Sequence, residues 1–329
     1  MKKLLILLLP VIVCWSCTKG EDSPVDTQVA LNVKTGIFTK TANSGIKDGS
    51  AFSENGEELG LHVTTGTVGA AYEGISSYLN VKYTYNSTTT TWVAASSVFL
   101  PINDNVASVY AYYPYVSTAT PANGILVTIP TNASTTKDYM FASNSGDGVS
   151  PANTTPTAKY SAPTVSLIMN HALAKVIVRM KANTDGSGVS VKSVGIQNAS
   201  GKTALKSSGT MAITNGAITL PITSTSATTS TLDTAVPLVI TPSVDFPIMV
   251  LPTVISLAGE LQFVVTLSIG GVNTVVNCSV PLETSSPNWE RGKIYSYTIT
   301  SQGGTALVVS PTVTITPWIP GFTGTPITF

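Results

Sequence analysis

Apolar and polar residues alternate in short runs along most of this chain. Val29, Leu31 and Val33 alternate with Ala30, Asn32 and Lys34, and Leu59, Leu61 and Val63 with Gly60 and His62. Leu79, Val81 and Tyr83 alternate with Lys82 and Thr84. Strand side chains point to opposite faces with a period of two, so each run predicts a half-buried strand. That pattern turns His62 toward solvent. Residues 109–115 read as an aromatic-rich strand stopped by Pro114, and 125–129 and 139–142 follow. Residues 165–180 read as a long strand interrupted at Asn170-His171-Ala172. Residues 189–196, 211–220, 238–240 and 248–251 continue the series. Leu261, Phe263, Val265, Leu267 and Ile269 alternate regularly, and Gly270-Gly271 then turns the chain into 272–280, a hairpin signal. Tyr295, Tyr297 and Ile299 alternate with Ser296 and Thr298, and 308–316 comes last. No stretch carries a sustained helical period.

The run 144–163 is rich in Pro, Gly and Thr and has no apolar period, which marks a junction. The pattern predicts an all-β chain of two antiparallel β-sandwich domains in tandem, 29–163 and 164–318, with a tail at 319–329. Residues 223–231 read as a Ser/Thr loop. The length of 329 residues agrees, at about 150 residues per domain.

Composition narrows the function. Only 10% of residues are charged, where soluble proteins carry about 25%, and formal net charge is zero. A nucleic-acid binder needs a basic surplus, so nucleic acid is not an expected partner. The 43% hydrophobic content argues against disorder. Two His and three Cys leave too few ligands for a His- or Cys-rich metal site. Cys278 shares a strand face with Val276 and Val280 and reads as a buried thiol.

Enzyme chemistry finds little footing. Glu57 and Glu58 are adjacent and point to opposite faces, so they make no acid/base pair. His171 precedes an apolar strand and reads as a structural, hydrogen-bonded histidine. No nucleophile elbow or phosphate loop occurs. Residues 145–148 and 183–188 lack the further acidic ligands of a calcium site and read as turns. The expectation is a non-enzyme with no cofactor.

The N-terminus is the most specific signal. Met1-Lys2-Lys3 is a basic start, and the apolar run 4–13 has the length of a signal-peptide core. Ser16-Cys17 resembles a bacterial lipobox, with cleavage before Cys17 and a diacylglycerol on its sulfur. Residues 1–16 are then a signal peptide and 17–28 a tether. The alternative is an ordinary secretory signal cut nearby. No later stretch offers about 18 consecutive apolar residues, so membrane attachment rests on lipid, whose two chains suffice for stable anchoring.

Several segments together carry a resemblance. They are the lipobox at Cys17, Phe52-x-x-x-Gly56-Glu57-x-Leu59-Gly60-Leu61, Asn80-x-x-Tyr83 with Trp92, and Val109-Tyr110-Ala111-Tyr112-Tyr113-Pro114-Tyr115. Asp138-Tyr139-Met140-Phe141-Ala142 and Asn170-His171-Ala172-Leu173-Ala174-Lys175-Val176 follow. Trp289-x-Arg291-Gly292-Lys293-x-Tyr295-x-Tyr297 and Thr314-Ile315-Thr316-Pro317-Trp318 close the set. In this order the chain resembles the fimbrillin-like surface lipoproteins of the Bacteroidales, the family of fimbrial subunits and their accessory proteins. The Glu21-Asp22 pair after the lipobox resembles the surface-export signals of Bacteroidetes lipoproteins.

The resemblance implies two transthyretin-like sandwiches and assembly by strand exchange at the outer membrane surface. A trypsin-like protease removes the first strand, and a strand of a neighbouring subunit fills the groove. The leaving strand maps to Val29, Leu31 and Val33. The chain has no arginine before Arg179, so the cut is expected at Lys40, then Lys47; the other reading is that these lysines only solvate a loop. Donor candidates are Val309, Val313, Ile315, Ile319, Phe322, Ile327 and Phe329. The other reading has 308–316 completing the second domain's own sheet, which leaves a short tail and suits a tip or accessory subunit. Asp233-Thr234-Ala235 resembles a short O-glycosylation motif of Bacteroidetes exported proteins, with Thr234 as acceptor. The tyrosines 110, 112, 113 and 115 read either as core and interface or as a sugar-stacking platform. A fimbrial subunit would support cell adhesion; the platform reading instead makes the protein a permanently anchored, glycan-binding lipoprotein, and a third reading makes it a lipid-anchored fimbrial anchor, serving as base or assembly factor. Partners implied are other fimbrial subunits, surface receptors and the outer membrane through lipid.

Overall fold

A computed structural model describes residues 27–37, 52, 54–66, 68–143, 155–221, 227–282 and 288–318. Among these residues the regular elements are strands and three single-turn 3-10 helices, with no α-helix. The chain is all-β, as its alternation predicts.

The first half contributes β1 (Gln28–Ala30), β2 (Asn32–Ile37), β3 (Glu58–Thr64), β4 (Val81–Asn86), β5 (Thr91–Ala94), β6 (Phe99–Pro101) and β7 (Ala107–Tyr113). β8 (Ile125–Thr128), β9 (Met140–Ser143), β10 (Thr157–Ala158) and β11 (Thr164–His171) follow. The largest sheet runs β2-β11-β9-β7-β3-β4-β5, with β10 added on β7. Its two ends approach each other, because Trp92 Nε1 on β5 donates to Thr35 Oγ1 on β2 at 2.7 Å. The sheet therefore curls almost closed around Leu59, Leu61, Val63, Val81, Val109 and Val165.

The second half contributes β12 (Ala174–Ala182), β13 (Val189–Asn198), β14 (Ser208–Met211), β15 (Ile218–Thr219), β16 (Ala227–Pro237), β17 (Val244–Val250) and β18 (Thr253–Val254). Next come β19 (Leu261–Ile269), β20 (Val272–Ser279), β21 (Asn288–Trp289), β22 (Lys293–Ser301), β23 (Leu307–Val309) and β24 (Thr314–Pro317). One sheet is β17-β12-β22-β23 with β24 also on β22; the other is β16-β13-β19-β20. They enclose a core of Val176, Val178, Phe246, Ile248 and Tyr297 from one sheet and Val191, Ile196, Phe263 and Val265 from the other. This is sheet-on-sheet packing, with alternate side chains turned inward. Cys278 belongs to this core as expected, and burial raises its thiol pKa.

A third cluster joins the halves: Tyr112, Ile125, Val127 and Phe141 pack with Leu173, Met211, Met249 and Trp318. β8 also pairs with β14, so residues of both halves share one small sheet. β11, assigned from the sequence to the second half, pairs in the first sheet, parallel to β2 and antiparallel to β9. The change of sheet falls at Ala172-Leu173, within the interruption visible in the sequence.

β3 corrects one expectation. Its alternation is real, but both of its faces are buried, and His62 is fully buried rather than solvent-facing. A Cβ on Gly60 would lie 2.2 Å from the Tyr112 ring, so that ring lies over the face shared by Gly60 and His62. Burial lowers the His62 pKa from 6.5 to about 4. The folded protein therefore keeps the ring neutral where the unfolded chain takes up a proton. Stability from this residue is complete above about pH 6.5, is lost as pH falls toward 4, and falls no further below 4, where both states are protonated. The total is about 3 kcal/mol at 1.36 kcal/mol per pKa unit. Urea unfolding at pH 7 and at pH 4 should show this extra acid sensitivity in the wild type and not in His62→Leu; equal slopes for the two proteins would contradict it.

Candidate functional site

The first strand has an unusual position. Its start, β1, pairs antiparallel with β6, Val29 opposite Leu100. Leu31 N–H donates to Val98 O at 2.8 Å, and Asn32 N–H to Pro163 O at 2.9 Å. From there β2 pairs parallel with β11, Val33 opposite Val165. One short segment thus crosses between two sheets. Val29 is half-buried, and Leu31 and Val33 are buried in the first core. All three share a face, as the alternation predicts.

β2 fills the gap in the curled sheet. Its backbone bonds go to β11, and on the other side Thr35 accepts from Trp92. Trp92 stands in an aromatic group: Phe52 meets it edge-on at 4.8 Å, and Tyr85 lies 5.2 Å away. Phe52 also packs on Tyr113 at 5.3 Å. Phe52 is only 2% exposed, so the chain is pinned again directly after 38–51. Lys40 and Lys47 lie in that interval, outside the described residues. The sequence offered no signal for the Trp92–Thr35 bond, because its partners are far apart along the chain. Thr35→Val leaves the buried indole N–H without its acceptor. It should cost about 1 kcal/mol and shift Trp92 fluorescence; an unchanged spectrum and stability would contradict the bond.

Taking this segment out would strip β11 of its parallel partner, β6 of its antiparallel one, and the core of two buried side chains. Burying Leu31 and Val33 stabilises by about 1.5–3 kcal/mol each, so the empty groove would lack roughly 3–6 kcal/mol plus its ladder bonds. An edge of this kind, with apolar pockets, is suited to an added extended strand.

The C-terminal candidates sit elsewhere. β23 pairs with β22, Val309 opposite Ile299, and β24 pairs with the other end of β22, Ile315 opposite Tyr295. Val309, Val313 and Ile315 are half-buried on the second core. Ile319, Phe322, Ile327 and Phe329 lie outside the described residues. Of the two readings of 308–316, this arrangement is the one in which it completes the chain's own sheet. Trp318 then anchors the end: its backbone N–H donates to Gly292 O at 2.6 Å, and its indole stacks on His171 at 3.9 Å, with 4° between the ring planes. His171 Nδ1–H donates to Asp138 Oδ2 at 2.8 Å, fully buried, which bears out a structural, hydrogen-bonded histidine.

Other candidates resolve simply. Tyr112 is buried in the third cluster, Tyr110 and Tyr115 are half-buried against it, and Tyr113 is half-buried against the first core. None stands out as an open stacking platform. Thr234 is exposed on a bulge of β16: Val191 opposes Val236 and Ser193 opposes Thr231, so residues 232–235 loop out opposite Lys192. Lys192 Nζ donates to the carbonyls of Leu232 and Asp233. Cys17 lies outside the described residues. Among the described residues no group of three or more His, Cys, Asp or Glu could hold a metal, and no helix is long and apolar enough to cross a membrane.

The fimbrillin-like family matches residues 39–318. No curated protein matches the chain. Among solved structures, a candidate cell adhesion protein from Bacteroides uniformis is similar over 88% of this chain and 99% of its own, with 21% identity and a TM-score of 0.62. A second candidate cell adhesion protein, from Bacteroides ovatus, is similar over 89% and 99%, with 17% identity and a TM-score of 0.59. At these identities the two structures speak for the fold.

Proposed function

The chain belongs to the fimbrillin-like family, and from that premise we propose that it is a fimbrial subunit, of tip or accessory type, exported as a lipoprotein acylated at Cys17 and assembled by strand exchange. The observation that carries this reading is the first strand. It is stitched to two sheets, buries Leu31 and Val33, and closes a sheet whose other end lies one hydrogen bond away. A cut between β2 and Phe52, at Lys40 or Lys47, frees this strand and leaves the remaining core pinned by Phe52. An extended segment of a second subunit then takes the vacated place, satisfying both the β11 edge and the apolar pockets. A heterologous contact of this type repeats and builds a filament.

The tip or accessory reading is supported by β23 and β24. Both pair with β22, which holds Val309 and Ile315 in the chain's own sheet rather than free to donate. A stalk subunit needs a free donor in every copy; a tip needs only to receive. The second reading, a permanently anchored surface lipoprotein, is supported by the same C-terminal arrangement and requires that residues 17–51 be retained. In both readings the two halves of the chain meet at the third cluster, and Thr234, displayed on its bulge, is available for O-glycosylation.

Immunogold electron microscopy of cells distinguishes the readings. Label on filaments, at tips or along their length, supports the fimbrial role. Label confined to the membrane, on cells whose filaments carry none, overturns it and leaves the anchored lipoprotein.

A further inference from the structure

β20 differs from every other sheet edge among the described residues. Monomeric sheets protect their edges with short strands, charges, prolines, bulges or covering segments. β16 carries the bulge at 232–235, and Thr229 N–H is tied to Thr131 O. β17 contains Asp245 and Pro247. β5 is turned against β2 by Trp92. β1, β6, β8, β10, β15, β18, β21, β23 and β24 are at most four residues long. β20 has eight residues, with no charge, no proline and no bulge, and pairs only with β19. β23 comes near it but hydrogen-bonds to β22. Val275 is 62% exposed and Val272 is 65% exposed.

The register shows which backbone groups face outward. Gly270 and Gly271 have φ of 57° and 82°, a two-residue turn closed by the pair Ile269–Val272. The closing pair is hydrogen-bonded, so the backbone groups of Val272, Thr274, Val276 and Cys278 point at β19. By alternation, those of Asn273, Val275 and Asn277 point to the open edge.

The sequence of this edge is nearly its own mirror image about Val275. Asn273 mirrors Asn277, Thr274 mirrors the equally branched Val276, and small Val272 mirrors Cys278. Opposite residues in an antiparallel pair share a face, and these pairs satisfy that condition. An uncharged strand also meets itself without like-charge repulsion.

We propose that β20 is a self-pairing edge: two copies of this chain join antiparallel along it, about a twofold axis at Val275, fusing two four-stranded sheets into one continuous sheet. Val275 of each copy exchanges two backbone hydrogen bonds with its counterpart, Asn273 faces Asn277 on the outer face, and Thr274 faces Val276 on the inner one. Contacts of this kind are isologous and closed. They use neither the first strand nor the C-terminal tail, so this pairing stands or falls independently of strand exchange and would join protomers side by side.

Cysteine cross-linking in the full chain on cells tests it. Opposed Cα atoms in a hydrogen-bonded antiparallel pair are about 5.5 Å apart, within the disulfide range of about 4.4–6.8 Å. Val275→Cys, mildly oxidised, should yield a 275–275 linked peptide by mass spectrometry. Asn273→Cys alone should not link to itself, while Asn273→Cys with Asn277→Cys should link 273 to 277. Val275→Lys should abolish dimers of the full chain in native mass spectrometry with an unchanged melting temperature. If Val275→Cys links no more than Val254→Cys, an equally exposed valine on another strand, the pairing is collisional and the proposal is wrong. An undiminished dimer in Val275→Lys would overturn it as well.

Discussion

Leu31→Asp is expected to undock the first strand while leaving the rest of the protein folded. Leu31 stands where the chain crosses from β6 to β11, only 6% exposed. The substitution forfeits about 1.5–3 kcal/mol of burial and puts a carboxylate into an apolar core. With its desolvation the cost is on the order of 5 kcal/mol, comparable with all that the buried side chains of this segment contribute. The second and third clusters contain no residue of this segment, so the unfolding stays within the first sheet. Trp92 fluorescence should shift to the red as Thr35 departs, and the amides of β11 that face β2 should lose exchange protection. Strand exchange predicts more: the groove opens without proteolysis, so Leu31→Asp should join heat-labile complexes with other subunits on cells even when Lys40 and Lys47 are both replaced by Gln. Unchanged Trp92 emission and β11 protection would show that the first strand is not the removable element.

Trp318→Ala is the second large effect. The indole is 2% exposed, stacks on His171, and has Lys175 Nζ 5.5 Å from its ring centre. Truncating a buried tryptophan costs about 3–5 kcal/mol. Here the loss falls on the seam between the halves and on the end of β24. Urea unfolding should show the full destabilisation, and hydrogen exchange should show residues 314–317 fraying from β22. Trp318→Phe, which keeps a stacked ring, should recover much of it. A variant with near-wild-type stability would mean that the stack with His171 holds little.

Much of the fold was legible because alternation reports directly on which residues share a face. β4 follows it residue by residue, with Val81, Tyr83 and Tyr85 buried, and β19 does the same with Leu261, Phe263, Val265 and Leu267. Alternation does not report what lies over the second face. His62 therefore read as exposed, although Tyr112 covers it from β7. Gly60 was the available clue, since only a residue without a side chain admits that ring. Pairing partners were also hidden. Nothing local tells β2 to lie parallel to β11, and that pairing is what moves residues 164–171 into the first sheet. The interruption at Asn170-His171-Ala172 was visible, but its meaning as the change of sheets required the three-dimensional register. The candidate site was legible as a face, Val29, Leu31 and Val33, and not as a closure, because Thr35–Trp92 and Phe52 connect positions that only folding brings together.

The most direct test of strand exchange is mass spectrometry of the protein recovered from cell surfaces, with an unboiled gel beside it. Strand exchange predicts an N-terminus within residues 38–51, after Lys40 or Lys47, and a complex with other subunits that boiling dissociates. An intact, diacylated N-terminus at Cys17, with the first strand retained and only heat-insensitive monomer, would contradict it.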